Sequence, residues 1–243
     1  MDIPAVMHQR LKPLSQYLEK ELGRSVEIKP ANDLTQAADD IASGKVDISY
    51  LTPMAYLKAQ AKGNVLVIAK AITKGQDSFR LMLVARQDSA INGPRDLVGK
   101  RFAFGDAAAV LQRAVVVNAG VALESLGSYH FLGHYDNIAR GVANGDFDAG
   151  ILKDSTAAQW TKQGLKIIHT SPPLPPYNIA VSRSLSEPLR AKVRASLLKL
   201  SPANPEHLKV LTALDDGYTG FAAASEEDYR LVESMVAPFL VKK

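Results

Sequence analysis

Along most of the chain, segments with the apolar spacing of a helix alternate with segments that have the apolar pattern of a strand. Residues 6–22 place apolar side chains at helical spacing and end at Gly23, which predicts a first helix. Short apolar runs bounded by turn residues then alternate with amphipathic segments, which is typical of an α/β architecture with mostly parallel sheets flanked by helices. The predicted strands are 25–29, 46–50, 65–72, 80–86, 101–104, 129–132, 147–152, 165–170 and 179–182.

The amphipathic segments predict helices between these strands. The chain after residue 186 is predicted to be helical throughout, with Ser225 and Asp228 forming a capping box before the last helix. Because this helical tail has no strand of its own, we expect it to pack on the first half of the protein. The predicted helices after the first are 33–43, one beginning at Pro53, and 107–119, 136–144, 155–163, 187–200, 205–215 and 226–236.

One helix-to-strand step occurs twice, at residues 42–48 and 143–149. In each copy a glycine, Gly44 or Gly145, ends the helix as a left-handed cap before a buried strand. Two copies separated by about 100 residues indicate a duplicated α/β design with one lobe built around each copy. Each copy also carries an aspartate at the start of its strand that we interpret as structural: Asp47 and Asp148.

The repeat predicts two lobes with a ligand cleft between them, because paired α/β lobes commonly bind small molecules in this way. The lobe boundaries predicted from the pattern are 1–76 with 178–243 for the first lobe and 77–177 for the second. Two crossings, near residues 73–78 and 171–177, are expected to form the hinge.

Composition narrows the function classes. The 243 residues carry 29 basic and 25 acidic side chains, a net charge of +4, with no basic tract interleaved with aromatics, so we expect no nucleic-acid partner. The absence of cysteine excludes disulfides and thiolate metal sites. No apolar run approaches the roughly 20 residues of a membrane span, and the first residues show no charged and apolar leader of a signal peptide.

Strand-to-helix junctions are the places where such a fold binds ligands, since free backbone N–H groups at helix N-termini attract anions. The alternative is that the polar residues there are ordinary helix caps, namely Thr52, Asp106, Asp136 and Asp154. The junctions that qualify are 50–53, 104–109, 132–136 and 152–155.

Catalysis and metal binding receive no support from the sequence. His130 and His134 are four residues apart, but on a strand that spacing separates them by about 13 Å. Motifs for a nucleophile elbow, a phosphate-binding loop or a dinucleotide fingerprint are missing. We therefore expect no enzyme activity, no metal and no cofactor.

Several motifs, taken in order from residue 4 to 236, resemble the phosphate/phosphite/phosphonate periplasmic binding proteins of ABC transporters. The resemblance implies a type II periplasmic-binding fold, in which two α/β lobes close on a ligand by a hinge motion and deliver it to a permease. Related domains also serve as extracellular sensors of signalling proteins. The motifs that carry the resemblance are 13–23 (PLSQYLEKELG), 44–53 (GKVDISYLTP), 96–106 (DLVGKRFAFGD) and 145–150 (GDFDAG).

The chain departs from the family at the segment that follows Gly105-Asp106. There the family usually continues with a Ser-Thr-Ser run whose hydroxyl and amide groups bind an oxyanion, whereas this chain has Ala107–Ala109. Each lost hydrogen bond to a charged oxygen is worth about 1.5–3 kcal/mol, so three losses cost orders of magnitude in affinity. Two alternatives stay open: a phosphonate held by backbone N–H groups with Arg80, Lys153 and His134, or a less polar ligand.

Other ligand positions implied by the resemblance also differ. Leu34 and Phe79 stand where the family has aromatic hydroxyls, and Tyr177 aligns with a family carboxylate. Tyr135 aligns with a family histidine, and His134 lies beside it. The ligand chemistry is therefore expected to be altered relative to the family.

We predict a solute-binding protein that captures a small, phosphonate-like or otherwise altered ligand for an ABC transporter. The alternative is an extracytoplasmic ligand-sensing domain of a signalling protein. Expected partners are the small molecule and a transporter permease or a fused signalling module, and the chain is expected to be monomeric. The expected location is periplasmic or extracellular, with membrane association through a partner or anchor. The predicted ligand-binding residues are Tyr50, Thr52, Phe79, Arg80, Asp106, Ala107, Ala108, His134, Tyr135, Lys153 and Tyr177.

Overall fold

The structure is a computed structural model that describes residues 4–107 and 109–240. The described residues form two compact units, one comprising 4–78 with Pro175–Arg230, the other Phe79–Leu174 with 231–240. The sequence predicts residues 178–243 together in the first lobe, whereas the contacts group residues 231–240 with the second unit. Leu231 and Met235 there line one depression together with Val115.

The helices follow the amphipathic pattern closely, with two exceptions: the fourth begins at Val110 rather than at residue 107, and the last is Arg230–Leu240 rather than 226–236. Short 3-10 segments accompany them at Pro94–Leu97, Leu123–Ser125, Thr161–Gln163 and Glu226–Tyr229. The described α-helices are α1 (Pro4–Leu22), α2 (Leu34–Ala42), α3 (Pro53–Ala61), α4 (Val110–Asn118), α5 (Tyr135–Ala143), α6 (Asp154–Trp160), α7 (Glu187–Leu198), α8 (Pro205–Leu214) and α9 (Arg230–Leu240).

The strands correct the sequence prediction in two places. Residues 25–29, predicted as a strand, have no regular secondary structure, and residues 218–223 form a strand inside the tail that was predicted to be helical throughout. The described strands are β1 (Ile48–Leu51), β2 (Val65–Thr73), β3 (Leu81–Arg86), β4 (Arg101–Phe104), β5 (Ser128–Phe131), β6 (Ala149–Lys153), β7 (Leu165–Thr170), β8 (Asn178–Ser182) and β9 (Tyr218–Ala223).

The sheet of the first unit has the order β1-β8-β2-β9, and each pair of neighbours is antiparallel. The prediction of mostly parallel sheets is therefore wrong for this unit. The helix α3 does connect β1 and β2 in the same direction, but β8 returns from the second unit and inserts between them with the opposite direction. Alternation along the chain could not reveal that insertion.

The sheet of the second unit is mixed, with the order β5-β4-β6-β3-β7. Strand β4 pairs in parallel with β5 and with β6, whereas β3 pairs antiparallel with β6 and with β7. The carboxyl ends of β4, β5 and β6 consequently lie at the same end of this sheet.

Each unit has its own apolar core. Side chains of α1, α7 and α8, among them Leu18, Leu197 and Leu211, pack with residues of the first sheet. In the second unit, residues of α5, including Ile138, pack against the second sheet at Val84. Within the described chain, none of the helices combines the length and apolar character that crossing a membrane requires.

The repeated helix-to-strand step has the predicted conformation in both copies. Gly44 and Gly145 have φ angles of +74° and +83°, the left-handed region that favours glycine. In the second copy Asp148 accepts hydrogen bonds from the backbone N and the guanidinium of Arg101, at 2.8–3.2 Å. These hydrogen bonds outweigh partial burial and hold the pKa of Asp148 below its usual value, which agrees with a structural role.

Candidate functional site

Three strand-to-helix junctions meet at one end of the second sheet. Strands β4, β5 and β6 all end there, and α4, α5 and α6 begin after them. The first two junctions are joined by backbone hydrogen bonds, from Leu132 N to Phe104 O and from Gly133 N to Gly105 O, both 2.9 Å. This end of the sheet therefore presents helix N-termini, whose unpaired N–H groups and partial positive charge favour anions.

A buried glutamine links the first two junctions. The Gln112 side chain on α4 is 6% exposed, and its Oε1 accepts a hydrogen bond from Gly105 N at 2.8 Å. Its Nε2 donates to the Tyr135 hydroxyl group at 3.4 Å. Sequence reasoning did not identify Gln112, although an amide among the apolar residues of α4 was an available signal.

Tyr135 is the first residue of α5, and His134 before it is exposed and caps the helix without a side-chain hydrogen bond. Burial raises the pKa of the Tyr135 phenol; the hydrogen bond from Gln112 acts in the opposite direction, and the charge of Asp154 raises the pKa further. The phenol is therefore neutral at physiological pH and keeps its hydroxyl hydrogen for donation.

Lys153 and Phe79 come together at the third junction. Lys153 ends β6, and its Nζ lies 5.5 Å from the ring centroid of Phe79, in the range of a cation–π interaction. The backbone of Phe79 is fixed by two hydrogen bonds with Leu174, at 2.9 and 2.8 Å. An ammonium group is thereby placed at the same end of the sheet as the helix N-termini.

Arg80 has a different environment from Phe79. Its Nη1 donates to Ser171 O at 2.7 Å, and its backbone N donates to the Asp154 carboxylate at 2.8 Å. The residue lines a depression of about 390 Å³ together with His169 and side chains of α4 and α9. Burial lowers the pKa of His169 there.

The segment before α4 carries the alanines that replace the family's hydroxyl residues. Asp106 and Ala107 are exposed, and Ala109 N donates to Asp106 O at 2.9 Å. Ala109 occupies the N-cap position of α4 without a side-chain hydrogen bond, so Asp106 is not the N-cap residue of this helix. Ala108 lies outside the described residues.

In the first unit, three tyrosines form one group. The rings of Tyr50 and Tyr177 stack with centroids 4.8 Å apart, and the hydroxyl oxygens of Tyr50 and Tyr218 lie 2.5 Å apart in a hydrogen bond. Burial raises the pKa of both Tyr50 and Tyr218, so these phenols stay neutral. Tyr218 was missed from the sequence because it lies on the unpredicted strand β9. Thr52 is the N-cap residue of α3 and accepts a 3.2 Å hydrogen bond from Ala55 N. This is the ordinary helix-cap role that the sequence left open for Thr52.

A buried lysine joins segments of the first unit that lie far apart in the chain. Lys70 on β2 is 9% exposed, and its Nζ lies 3.0 Å from Asp77 and 2.9 Å from Asp228. Burial acts to lower the pKa of Lys70, but the hydrogen bonds from the ammonium group to Asp228 and Asp77 outweigh it and raise that pKa. Burial likewise acts to raise the pKa of Asp228, yet hydrogen bonds from Lys70 and Ser225 hold it below its usual value.

The predicted ligand residues are thus brought together in part. Tyr50 and Tyr177 meet in the first unit, Phe79 and Lys153 meet in the second, and Tyr135 is linked to Gln112. Across residues 4–107 and 109–240, no group of three or more histidine and carboxylate residues could hold a metal ion.

Curated relatives of this chain carry binding or import names. The "Phosphate-import protein PhnD" of Mycolicibacterium smegmatis is 31% identical over 172 residues, 63% of this chain and 54% of that protein. The "Phosphonates-binding periplasmic protein" of Escherichia coli is 28% identical over 230 residues, 88% of this chain and 67% of that protein. The alignments thus span about half to two thirds of the length of these relatives.

Solved structures share the fold at low sequence identity. The XAC2383 protein of Xanthomonas citri bound to ATP superposes with a TM-score of 0.80 at 21% identity, covering 97% of this chain and 95% of that one. PhnD1 of Prochlorococcus marinus in complex with methylphosphonate gives a TM-score of 0.73 at 21% identity, covering 98% and 96%. The type II periplasmic-binding fold that the resemblance implied is therefore confirmed.

A family model provides the assignment. The model described as "ABC transporter, phosphonate, periplasmic substrate-binding protein" matches residues 2–229, nearly the whole chain. The relatives and structures above give no support to the signalling alternative. This chain belongs to the family of periplasmic substrate-binding proteins of phosphonate ABC transporters.

Proposed function

We propose that this protein is the periplasmic solute-binding component of an ABC transporter and that it captures a small phosphonate-type anion. The observation that carries the proposal is the convergence of the N-termini of α4 and α5 with one lysine at a single end of the second sheet, in a chain of this family. The protein acts by binding and delivery, as a monomer that meets a permease, and no catalytic role is proposed.

The electrostatics of that sheet end favour a compact oxyanion. The N-termini of α4 and α5 supply partial positive charge, and Lys153 supplies a full charge beside the ring of Phe79. The first two N–H groups of α6 are already bonded, Asp154 N to Arg80 O and Ser155 N to the Asp154 carboxylate. The neutral Tyr135 phenol adds a hydrogen-bond donor without adding charge. His134, exposed immediately before α5, is proposed as a further donor to the same anion.

The alanines at 107–109 restrict how the anion is held. They carry no hydroxyl groups, and Ala109 N already donates to Asp106 O, so the charge must be neutralised mainly by helix N-termini and by Lys153. This arrangement suits methylphosphonate or phosphate, whose oxygens accept several hydrogen bonds. It does not suit a neutral, less polar ligand, which would leave the lysine and the N–H groups without acceptors.

The tyrosine group of the first unit is a packed aromatic cluster of that unit, and no contact with the anion is proposed for it. Tyr50 and Tyr177 provide a stacked aromatic surface, and the hydroxyl group of Tyr50 is already committed to Tyr218.

The test is a thermal-shift screen with methylphosphonate, phosphate, sulfate and a neutral alcohol. Methylphosphonate should raise the melting temperature of the wild type, and Lys153→Gln should reduce the apparent affinity at least tenfold, since a charge-assisted hydrogen bond is worth about 1.5–3 kcal/mol. Lys162→Gln removes an equal charge from an exposed position and should leave the shift unchanged. The proposal fails if no anion raises the melting temperature, or if both lysine variants respond alike.

A further inference from the structure

The orientation of the Gln112 amide is determined by its backbone partner. Gly105 N is a hydrogen-bond donor, so the atom of Gln112 that faces it at 2.8 Å must be the carbonyl oxygen Oε1. The amide nitrogen Nε2 then faces the Tyr135 hydroxyl group at 3.4 Å. A flipped amide would place two donors against each other at Gly105, which the buried position cannot compensate with water.

That orientation fixes the role of the Tyr135 hydroxyl group. An amide NH₂ can only donate, so the phenol oxygen accepts from Gln112 and its own hydrogen must point elsewhere. Within residues 4–107 and 109–240, that hydrogen finds no acceptor. The phenol is half-buried, and Tyr135 is the first residue of α5, so this free donor belongs to a residue at the N-terminus of that helix.

We propose that Gln112 is a positioning residue that makes the Tyr135 hydroxyl group a dedicated hydrogen-bond donor to the oxyanion of the ligand. The inference rests on the proposed function, because it assumes an anion at this end of the second sheet. A dedicated donor at Tyr135 favours ligands that present a hydrogen-bond acceptor to α5, such as the oxygens of a phosphonate. It disfavours ligands that present an ammonium or hydroxyl donor there. Gln112 itself is nearly fully buried and acts only through Tyr135.

A double-mutant cycle tests this coupling. Gln112→Met keeps the length of the side chain but removes both polar atoms, and Tyr135→Phe removes only the hydroxyl group. With methylphosphonate as the probe in calorimetry, each single variant should lose about tenfold in affinity, and the double variant should lose no more than Tyr135→Phe alone. If Gln112→Met costs a further tenfold in the Tyr135→Phe background, Gln112 does not act through Tyr135 and the inference is overturned.

A readout without ligand separates this inference from the proposed function. The hydrogen bond from Gln112 lowers the pKa of Tyr135, so Gln112→Met should move the phenol titration, followed by NMR of labelled tyrosine, to higher pH. An unchanged titration overturns the inference even if the wild type binds methylphosphonate. A shifted titration in a protein that binds no anion supports the Gln112–Tyr135 coupling and rejects the proposed function.

If Gln112→Met does not fold, Gln112→Glu gives the same comparison. A carboxylate at this position keeps an acceptor for Gly105 N but offers a second acceptor to Tyr135, which would turn the phenol hydrogen away from the ligand. Gln112→Glu should then lower the affinity for methylphosphonate more when Tyr135 is present than in the Tyr135→Phe variant. In the Tyr135→Phe variant only the added charge of the glutamate lowers the affinity. Equal losses in both backgrounds would contradict the inference.

Discussion

Gly105→Ala is the most informative single perturbation of the candidate site, because it displaces Gln112 without changing that residue. A Cβ atom at position 105 would lie 2.8 Å from Gln112 Nε2 and 3.2 Å from Oε1. Gly105 has no positive φ, so alanine is compatible with its backbone. The amide end of Gln112 must move, and Gly105 N, which is buried, then loses its acceptor.

The expected cost follows from that lost hydrogen bond. A buried N–H group without an acceptor costs about 1–3 kcal/mol, and each kcal/mol corresponds to roughly 2–4 °C in the melting temperature of a protein of this size. Since Gln112 also leaves Tyr135, the affinity for methylphosphonate should fall about tenfold. Urea denaturation measures the first effect and isothermal titration calorimetry the second.

The matched control is Gly93→Ala. Gly93 has a φ of −162°, extended backbone that any residue adopts, and a Cβ there would meet nothing within 4 Å. This variant should stay within about 0.5 kcal/mol of the wild type. If Gly105→Ala matches Gly93→Ala in both stability and affinity, the described packing of Gln112 against Gly105 is wrong.

Three further predictions concern contacts within a single unit. Lys70→Met should destabilise the protein by about 2 kcal/mol or more in urea denaturation because it removes the partner of the partly buried Asp228, whereas Lys209→Met, which breaks an exposed ion pair with Glu206, should cost under about 1 kcal/mol; equal costs would refute this. The lowered pKa of Asp228 means that its stabilising contribution is complete above the unfolded value near 3.8 and is lost as the pH falls through the folded value, so the melting temperatures of wild type and Asp228→Asn should differ at neutral pH and converge as the pH falls below the unfolded value. Gly127→Ala places a Cβ 2.4 Å from the backbone oxygen of Gly99 and should cost about 1–3 kcal/mol in urea denaturation; a cost below about 0.5 kcal/mol would contradict the close approach.

Local patterns in the sequence were sufficient for most helices and for the repeated helix-to-strand step. The glycine caps at Gly44 and Gly145 were predictable because a left-handed residue that ends a helix depends only on neighbouring residues. The capping box of Ser225 and Asp228 is confirmed for the same reason, with Ser225 N donating to Asp228 at 2.8 Å.

Non-local pairing could not be predicted in this way. Strand β9 contains Gly220 and several small residues, and it becomes a strand by pairing with β2, which lies about 150 residues earlier. The direction of β8 likewise depends on a return from the second unit, so the antiparallel first sheet left no trace in the alternation of elements. Residues 25–29 alternate like a strand but have no strand beside them.

The positions of several candidate-site residues could be predicted from the sequence, but the contacts that orient their side chains could not. Junction residues such as Tyr135 and Lys153 were identified because strand ends and helix starts are visible in the sequence. The partners that orient them were not, since Gln112 reaches Tyr135 across 23 positions and Tyr218 reaches Tyr50 across 168. Arg80 was predicted as a ligand contact, while the structure places its guanidinium on Ser171 O.

The most direct test of the proposed function is calorimetric titration of the wild-type protein with methylphosphonate at neutral pH and low salt. The proposal predicts saturable binding with one site per chain, weakened in Lys153→Gln and absent when the probe is a neutral alcohol of similar size. Saturable binding of the alcohol, or no heat with methylphosphonate and phosphate under conditions where the protein is folded, would contradict it.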